Sequence, residues 1–552
     1  MTTLHGPPLD SIEGIGALTM GGFLDEIAAR FGPNEALVFD EPLLSGATHR
    51  CTYRDLRDEA RRIAKGLIAI GVERGERVAI LMGNRPEAVA ALFGAAMAGA
   101  VAVPLSTFSP DAELAFLLTD CEAVVVLTQT RMLARRYADD IDGLRGRLPA
   151  LREVVAVGDS TWDRLLAGGG PIQDHTVDDL IASTQPSDHA LIIYSSGTTS
   201  TPKGMLHNHR APTLQFWVQS QIFRRHERTR MWTALPIFWT AGLNTAMGST
   251  LAAGGCWVMQ ETFEPGEALA LMERERVTEP YALPHQIAAL EEHPAWETTD
   301  LSSLKYVFGK SALARHPSVN GDTTWNMPVG YGLSETCAFF SSHWSDTPRE
   351  LLKQSMGRLL PGNELRVVDP DTGRGLGPGE DGELAIKGPT LMEHYVGSSP
   401  EECFDADGFF HTGDAGFFDE DGYLHWTGRR SEMIKTAGAN VSPAELEVQL
   451  RACPPVKLSR IVGMPDERLG EIVVACITLK DGVEASERDI QDFLRTRVAA
   501  YKVPKRVFFF AEGEIPMTSS DTKVRDTELV ALVADRLARD VSQTVPSTSG
   551  ER

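Results

Sequence analysis

Apolar runs alternate with amphipathic segments along the first part of the chain. The runs predict buried strands at residues 77–82, 100–105 and 123–127. Apolar residues at helical spacing predict helices at residues 52–71, 86–98 and 112–119. Thr52 and Asp55 have the spacing of a capping box, and Gly71 is typical of a helix end. Repeated strand–helix units of this length predict an α/β fold, doubly wound, with helices on both faces of a parallel sheet.

The alternation continues through the middle of the chain, where it predicts a second sheet layer. Strands are expected at residues 190–194, 231–237, 255–259 and 305–308, and helices near 241–253, 265–276 and 284–292. The segment between residues 158 and 188 is polar and rich in glycine and aspartate. We expect it to be a surface excursion.

The sequence pattern changes after Pro361, where short runs of alternating apolar and polar residues are separated by Asp-Gly turns. This pattern predicts antiparallel hairpins in a small β-barrel or sheet. Beyond residues 428–431, two helical patterns and three apolar runs predict a self-contained α+β unit. We therefore expect a large N-terminal domain at 1–430, a small C-terminal domain at 431–540, and a disordered Ser/Thr/Pro/Gly-rich tail at 541–552.

Length, charge and cysteine content limit the number of domains and the kinds of binding partner that fit this chain. With 552 residues, two or more domains are expected, and the formal net charge of −23 argues against nucleic acid or an anionic membrane surface as a partner. Seven cysteines without close pairs fit neither a zinc site nor a disulfide framework. The N-terminus shows no secretory signal, and the uncharged stretch 88–105 contains glycines and a proline that favour a buried helix and strand over a membrane span. A reducing cytoplasm fits, and the oligomeric state is left open, a dimer included.

A hydroxyl- and glycine-rich loop follows the predicted strand 190–194 and ends at Lys203. Its candidate phosphate ligands are Ser195, Ser196, Gly197, Thr198, Thr199 and Lys203. Backbone N–H groups, hydroxyls and an ammonium group can together surround a polyphosphate. Pro202 before the lysine and Gly204 after it distinguish this loop from the common P-loop. The alternative is a flexible surface loop rich in serine and threonine.

The order Ser-Gly-Thr-Thr-x-x-Pro-Lys-Gly resembles the signature loop of the adenylate-forming superfamily, which includes acyl-CoA synthetases, carrier-protein adenylation domains and beetle luciferases. Ser200 stands where that family usually has glycine. The resemblance covers residues 52–529 and includes several further motifs in the expected order. It implies a large domain and a small, mobile C-terminal domain.

Two of these motifs lie in the middle of the chain. Residues 330–335 resemble the family's Tyr-Gly-x-Thr-Glu motif, and residues 309–313 its Gly-Gly-Ala-Pro-Leu segment beside the adenine. The resemblance implies that Tyr331 packs beside the adenine, Ser334 contacts the α-phosphate and Glu335 holds Mg²⁺. The other nucleotide-binding candidates are Gly309, Lys310, Ser311, Gly330, Gly332, Asp414 for the ribose hydroxyls, and Arg429 for ribose and phosphate. Taken alone, Glu335 would be read as a solvated surface carboxylate, and Lys310 is unusual at its position.

The acid-binding pocket is inferred from a third resemblance. Residues 236–239 resemble the family's Pro-x-Phe-His segment, with Trp239 where histidine is usual. The residues expected to line the pocket are Trp239, Leu243, Val329, Leu333 and Phe339, all apolar. An aliphatic, alicyclic or sterol side-chain acid is therefore favoured over an amino acid, with aromatic acids still open. Trp239 can instead be ordinary core.

Residues of the C-terminal part are assigned by the same resemblance. The segment 433–447 resembles the first part of the family's mobile lobe, with Ser431 at the hinge and Lys435 and Gly438 at the thiol tunnel. Lys523 is the candidate adenylation lysine, although its motif lacks a glycine and has one residue inserted. Lys502 and Lys505 are competing candidates.

The function implied is ATP-dependent ligation of a hydrophobic carboxylic acid to coenzyme A through an acyl adenylate. The implied cosubstrates are ATP and coenzyme A, with Mg²⁺ as cofactor. Lys203, Glu335, Lys435 and Lys523 are the candidate catalytic residues. Two alternatives stay open: an acyl-AMP ligase that loads a carrier protein in trans, and a non-catalytic nucleotide-binding homologue.

Overall fold

A computed structural model of the protein describes most of its 552 residues. The described ranges are 2–43, 46–194, 202–322, 324–370, 372–429, 433–436, 439–466, 469–498, 502–517 and 524–544. Strands and helices alternate along the first part of these ranges, as the apolar pattern predicts.

The strands are numbered along the chain. They are β1 (Leu4–His5), β2 (Glu35–Asp40), β3 (Thr48–Thr52), β4 (Arg77–Leu81), β5 (Val101–Pro104), β6 (Ala123–Gln129), β7 (Glu153–Val157), β8 (His189–Tyr194), β9 (Gly204–Asn208), β10 (Arg230–Thr233), β11 (Cys256–Met259), β12 (Glu279–Pro280), β13 (Gly330–Leu333), β14 (Ala338–Ser342), β15 (Arg358–Leu359), β16 (Glu364–Val368), β17 (Gly382–Lys387), β18 (His394–Tyr395), β19 (Phe410–Phe418), β20 (Leu424–Arg429), β21 (Ile434–Thr436), β22 (Ala439–Val441), β23 (Val456–Asp466), β24 (Gly470–Leu479) and β25 (Arg506–Phe509).

The helices are numbered in the same way. They are α1 (Met20–Phe31), α2 (Tyr53–Ala69), α3 (Pro86–Met97), α4 (Asp111–Asp120), α5 (Tyr137–Leu144), α6 (Ser160–Gly168), α7 (Asp174–Ser183), α8 (Arg210–Ile222), α9 (Ser249–Ala252), α10 (Pro265–Arg274), α11 (Pro284–Glu292), α12 (Ala312–Arg315), α13 (Arg349–Leu352), α14 (Pro400–Cys403), α15 (Pro443–Arg451), α16 (Glu487–Arg495) and α17 (Asp526–Thr544). A π-helix spans Ala241–Gly248, and short 3-10 turns span Leu9–Ser11, Arg145–Arg147 and Trp296–Thr298.

The central sheet has seven strands in the order β18-β9-β8-β5-β4-β6-β7. Its strands β8, β5, β4, β6 and β7 run parallel, whereas β9 and β18 join antiparallel at one edge. Apolar clusters cover both faces, one including α1, α2 and α3 and the other α4 and α5. This confirms the predicted α/β class with a doubly wound sheet. The predicted capping box is also present at α2, where the Thr52 side chain accepts from Asp55 N and the Asp55 side chain accepts from Thr52 N.

Three further sheets complete the larger part of the chain. The strands β12, β10, β11 and β2 run parallel, with β3 antiparallel at the edge. The order β1-β16-β17-β19-β20 forms an antiparallel sheet, and β13, β14 and β15 form a small one. The antiparallel sheet predicted after Pro361 is therefore present, and the N-terminal strand β1 adds to its edge.

The C-terminal part has its own sheet, in the order β22-β21-β24-β23, with β25 beside β24. Two apolar clusters of its own lie against this sheet. A large N-terminal unit and a small C-terminal α+β unit are thus confirmed. The predicted boundary between residues 430 and 431 lies in the segment 430–432, which is outside the described residues. Helix α17 continues into the predicted tail as far as Thr544.

Two expectations about elements are wrong. Residues 305–308 do not form a strand, because the N–H groups of Lys305 and Tyr306 both donate to Thr278 O and the ladder goes no further. The polar segment 158–188 contains α6 and α7, whose buried faces carry Trp162, Leu165 and Val177. Trp162, Leu165 and Leu166 have the i, i+3, i+4 spacing of a helix, as do Val177, Leu180 and Ile181, but the polar, glycine-rich composition of the segment favours a surface loop.

Candidate nucleotide and acid site

The predicted phosphate loop connects β8 to β9 at the edge of the central sheet. Tyr194 and Gly204 face each other at the open end of this antiparallel pair. The loop therefore leaves the sheet at the carboxyl end of β8, as expected. Ser195, Ser196, Gly197, Thr198, Thr199 and Ser200 lie outside the described residues. Lys203 is exposed, and its Nζ lies 5.0 Å from the centroid of the Tyr395 ring.

Tyr395 connects Lys203 to Glu335. The Tyr395 hydroxyl donates to Glu335 Oε1 over 2.7 Å. Burial and the Glu335 carboxylate beside it raise the pKa of Tyr395, so the phenol stays protonated and acts as a donor. The sequence analysis did not identify Tyr395. It lies on the two-residue strand β18, 60 residues after Glu335, and no local pattern marks it.

Tyr331, Asp414 and Arg429 form a second group, built on strands of two sheets. The Tyr331 hydroxyl donates to Asp414 Oδ2 over 2.7 Å, and Arg429 Nε lies 3.0 Å from Asp414 Oδ1. Asp414 and Arg429 face each other across β19 and β20. Burial raises the pKa of Asp414, while Tyr331 and Arg429 oppose the shift. The structure thus brings together three residues that the sequence placed 98 positions apart at most.

One oxygen of Asp414 lies beside Arg429 without a well-aligned hydrogen bond. Its carboxylate is 2% exposed, and among the described residues no donor meets hydrogen-bond geometry at Oδ1, although Arg429 Nε is close. A buried carboxylate oxygen without a hydrogen bond is costly. A hydroxyl group arriving from a ligand would satisfy it, as the predicted contact with ribose requires.

Gly330 and Gly332 are required by the close approach of β13 to β14. A Cβ at Gly332 would lie 1.8 Å from Ala338 O, and one at Gly330 would lie 2.4 Å from Ser341 O. Any side chain at either position would therefore push the hairpin apart. The hairpin leads directly into Ser334 and Glu335, so these two glycines position the turn that carries them.

His207 is a second residue that the sequence analysis did not identify. Its imidazole is fully buried in β9, and burial lowers its pKa to about 4. The ring is therefore neutral at pH 7, and Nε2–H donates to Ser334 O over 3.0 Å. His207 ties the strand that follows Lys203 to the turn that carries Glu335.

The loop expected beside the adenine lies at the start of α12. Ser311 caps this helix, and its hydroxyl donates to Phe308 O over 2.7 Å. A Cβ at Gly309 would lie 2.7 Å from a guanidinium nitrogen of Arg349, so the glycine makes room for that side chain. Lys310 is exposed.

The five residues expected in the acid pocket lie in different surroundings. Trp239 is half-buried, and its ring lies 5.9 Å from Phe238 and 6.1 Å from Phe108. Leu243 is buried in the π-helix. The other three are half-buried: Leu333 packs against the cluster under β16 and β17, Phe339 lies parallel to Phe223 at 6.5 Å, and Val329 leads into β13. The grouping of these five residues around one acid pocket stays a prediction.

The C-terminal candidates are only partly within the described residues. Lys523, Ser431 and Gly438 lie outside them. Lys435 belongs to β21, opposite Asn440 of β22. Lys502 Nζ lies 2.7 and 2.6 Å from the two carboxylate oxygens of Glu445, so this competitor is engaged within its own unit. Lys505 is exposed.

Two structural features are absent among the described residues. No cluster of three or more histidine, cysteine, aspartate or glutamate side chains is arranged there to hold a metal ion. Among the same residues, no helix combines the length and apolarity needed to cross a bilayer. The seven cysteines are free thiols, as their spacing predicts.

Comparison with known proteins identifies two family regions. Residues 24–396 match the AMP-binding enzyme family, and residues 445–522 match the AMP-binding enzyme C-terminal domain. The chain is 33% identical over 496 residues to an indoleacetate–CoA ligase from Aromatoleum aromaticum, covering 88% of this chain and 93% of that protein. It is 33% identical over 479 residues to a feruloyl-CoA synthase from Amycolatopsis sp, covering 85% and 91%.

Solved structures give the same result. The anthranilate CoA ligase AuaEII in complex with anthranoyl-AMP matches with a TM-score of 0.75 at 26% identity, covering 94% of this chain and 98% of that one. ATP-bound MatB from Rhodopseudomonas palustris matches with a TM-score of 0.74 at 27% identity, covering 93% and 99%. The chain therefore belongs to the AMP-binding enzyme family, as an acyl-CoA synthetase of the AMP-forming acid–thiol ligase type.

Proposed function

We propose that this enzyme activates an aryl-substituted carboxylic acid with ATP and transfers the acyl group to coenzyme A. The observation that carries the proposal is the grouping of Lys203, Tyr395 and Glu335 beside Tyr331 and Asp414 at one end of the central sheet. It places a cation, a carboxylate and a candidate ribose acceptor within one region. Relatives named for indoleacetate, ferulate and coumarate favour an aryl acid over the aliphatic, alicyclic or sterol acid that the apolar residues suggest.

Nucleotide binding is assigned to Asp414, Arg429 and Tyr331. Asp414 Oδ1 would accept from a ribose hydroxyl, and Arg429, 3.0 Å from the same oxygen, would balance the carboxylate charge. Tyr331 holds the other carboxylate oxygen, so the acceptor cannot rotate away. These contacts fix the nucleotide before the acid reacts, which lowers the entropic part of the barrier.

Charge is the main obstacle to adenylation, because a carboxylate must approach the α-phosphate of a polyanion. Lys203 would offset part of this repulsion from the phosphate loop, and Lys523 from the C-terminal unit. Glu335 is the residue that would hold Mg²⁺, and a single carboxylate fits an ion that usually binds through substrate phosphates and water. Mg²⁺ would neutralise phosphate charge. Tyr395 would orient Glu335 through its 2.7 Å hydrogen bond.

The acid would lie against the aromatic group of Trp239, Phe108 and Phe238. Offset and edge-to-face packing of aromatic rings adds to the free energy of apolar burial. The same group gives no charged partner for the ammonium of an amino acid. An aryl acid with a short side chain therefore suits it, and Lys435 and Gly438 are assigned to the coenzyme A step that follows.

The experiment is to measure pyrophosphate release with MgATP across a panel of indoleacetate, ferulate, 4-coumarate, octanoate, cholate and phenylalanine. We expect release with at least one aryl acid, and a thioester only when coenzyme A is added. Release with octanoate or cholate alone would contradict the aryl assignment and restore the sequence-based expectation. A stable adenylate that coenzyme A does not consume would favour the carrier-protein alternative.

A further inference from the structure

The turn that carries Ser334 and Glu335 is held by hydrogen bonds from four separate parts of the fold. Its four consecutive carbonyl groups each accept a hydrogen bond from a different distant element. The pairs are His207 Nε2 to Ser334 O at 3.0 Å, Met392 N to Glu335 O at 2.7 Å, Gln215 Nε2 to Thr336 O at 3.1 Å, and Asn244 Nδ2 to Cys337 O. The donors come from β9, the segment before β18, α8 and the π-helix. Such a turn holds the Glu335 carboxylate in one place.

Cys337, the last residue of this turn, has a left-handed backbone with φ of 60°. This conformation is unfavourable for a residue that has a Cβ. Cys337 is fully buried, and the Asn244 amide nitrogen contacts both its carbonyl oxygen and its Sγ, the latter at 3.7 Å. The Cys337 N–H also donates to Ser334 O over 3.0 Å, so the turn and the Asn244 side chain together hold this conformation.

The π-helix has a hydrogen-bond pattern that fixes its own register. Ser249 N–H donates to Asn244 O, five residues back, instead of to Thr245 O. The Thr245 carbonyl accepts instead from the Arg225 guanidinium and from the Ser249 hydroxyl. Arg225 is fully buried and pairs with Glu279 over 2.6 and 3.0 Å. Specific side-chain contacts therefore stabilise this π-turn. Such turns are frequent at functional sites.

The Asn244 amide is also buried at a cost. Its Oδ1 is buried without a donor among the described residues, while its Nδ2 makes the bonds to Cys337. An unpaired buried amide oxygen is unfavourable. An apolar residue of similar volume would pack without that cost, so the N–H of Asn244 must contribute something that packing does not.

We propose that Asn244 is a positioning residue for Glu335. It acts by holding Cys337 and so keeping the Glu335 carboxylate where Mg²⁺ and the phosphates require it. Because Asn244 follows Leu243 in the same helix, it also connects the acid side of the site to the nucleotide side. The inference rests on the proposed function, since it assigns Asn244 to the metal–phosphate end of that same site.

The test compares ATP binding with and without Mg²⁺ by isothermal titration calorimetry, in the full-length parent and in Asn244→Leu. We expect the variant to bind MgATP about tenfold more weakly, while its affinity for ATP in EDTA changes less than about twofold. Cys337→Gly, which removes the cost of the left-handed backbone, should reduce the loss caused by Asn244→Leu to about threefold. Asn244→Ala takes the same test if the leucine variant does not fold.

Thr250→Val is the matched control, because Thr250 is equally buried beside the same helix and its hydroxyl has no partner among the described residues. It should bind MgATP as the parent does. Equal losses with and without Mg²⁺ in Asn244→Leu, or an undiminished loss in the Cys337→Gly background, would overturn the inference. A parent protein that binds no MgATP would instead contradict the proposed function itself.

Discussion

The two ends of the site are built differently. At the nucleotide end, which comprises Tyr331, Asp414, Glu335 and Tyr395, polar side chains hold one another through hydrogen bonds of 2.7 Å. At the acid end, around Trp239, contacts are between aromatic rings 5.6 to 6.1 Å apart. Hydrogen bonds fix direction, whereas ring packing tolerates changes of shape. The nucleotide end should therefore be intolerant of substitution, and the acid end should change its preference instead of losing activity.

The largest effect is expected from the C-terminal lysines. Lys523→Ala should slow adenylation about 10³-fold or more, since it removes a charge aimed at the α-phosphate, and should leave thioester formation from a supplied acyl adenylate largely intact. Lys435→Ala should leave adenylation largely intact and slow thioester formation. The two half-reactions are measured separately, by pyrophosphate exchange and by thioester formation.

Lys480→Ala, at an exposed position of the C-terminal unit, is the control and should match the parent in both half-reactions. Normal pyrophosphate exchange in Lys523→Ala would transfer the role to Lys502 or Lys505. Equal losses in both half-reactions for Lys435→Ala would contradict the separation of roles.

The next effect concerns the ribose acceptor. Asp414→Asn removes the charge and turns an amide toward the Tyr331 hydroxyl, so we expect ATP and AMP to bind roughly 10- to 100-fold more weakly. Calorimetric titration with both nucleotides measures this. Asp419→Asn, in the turn between β19 and β20 and paired with His425, should bind both nucleotides as the parent does. A loss for ATP without a loss for AMP would move Asp414 away from the ribose.

A third prediction follows from the buried imidazole. The pKa of His207 falls from 6.5 to about 4 on folding, so the unfolded chain binds the proton more readily below pH 6.5. The contribution of His207 to the free energy of unfolding is therefore fully present above pH 6.5 and decreases as the pH falls toward 4. Between pH 7 and pH 5 the loss should be about 2 kcal/mol. Urea unfolding at both values measures it.

His207→Gln keeps a donor for Ser334 O but does not titrate. It should reduce the pH dependence of unfolding by that amount, with His209, whose pKa burial lowers in the same way, retaining its own share. A variant with the parent's full pH dependence would show that His207 is not the group responsible.

The smallest effect is expected at the acid end. Trp239→Ala should change the ratio of rates between bulky and small aryl acids about tenfold while adenylation continues. The indole is half-buried, so the cost to folding should be below the roughly 3 to 5 kcal/mol of a fully buried one. Trp344→Ala, a second partly exposed tryptophan outside the aromatic group, is the control. An unchanged acid profile in folded Trp239→Ala would place specificity elsewhere.

The same contrast separates what the sequence could predict from what it could not. The capping box at Thr52, the loop after β8 and the grouping of Asp414 with Arg429 follow from local patterns or from contiguous motifs. Tyr395, His207 and the Asn244–Cys337 contact depend on side chains that meet only after folding. The absence of a strand at 305–308 also depends on a contact made only after folding. The Thr278 carbonyl accepts the N–H groups of both Lys305 and Tyr306, so no strand pairing continues from there.

The central claim is that Glu335 and its neighbours form an adenylation site. The direct test is ATP–pyrophosphate exchange without coenzyme A, in the parent and in Glu335→Gln, with indoleacetate, ferulate or 4-coumarate as the acid. We predict exchange that depends on the acid in the parent and falls at least about 100-fold in the variant, because a neutral amide holds Mg²⁺ poorly. Acid-independent exchange, or equal exchange in both proteins, would contradict the account.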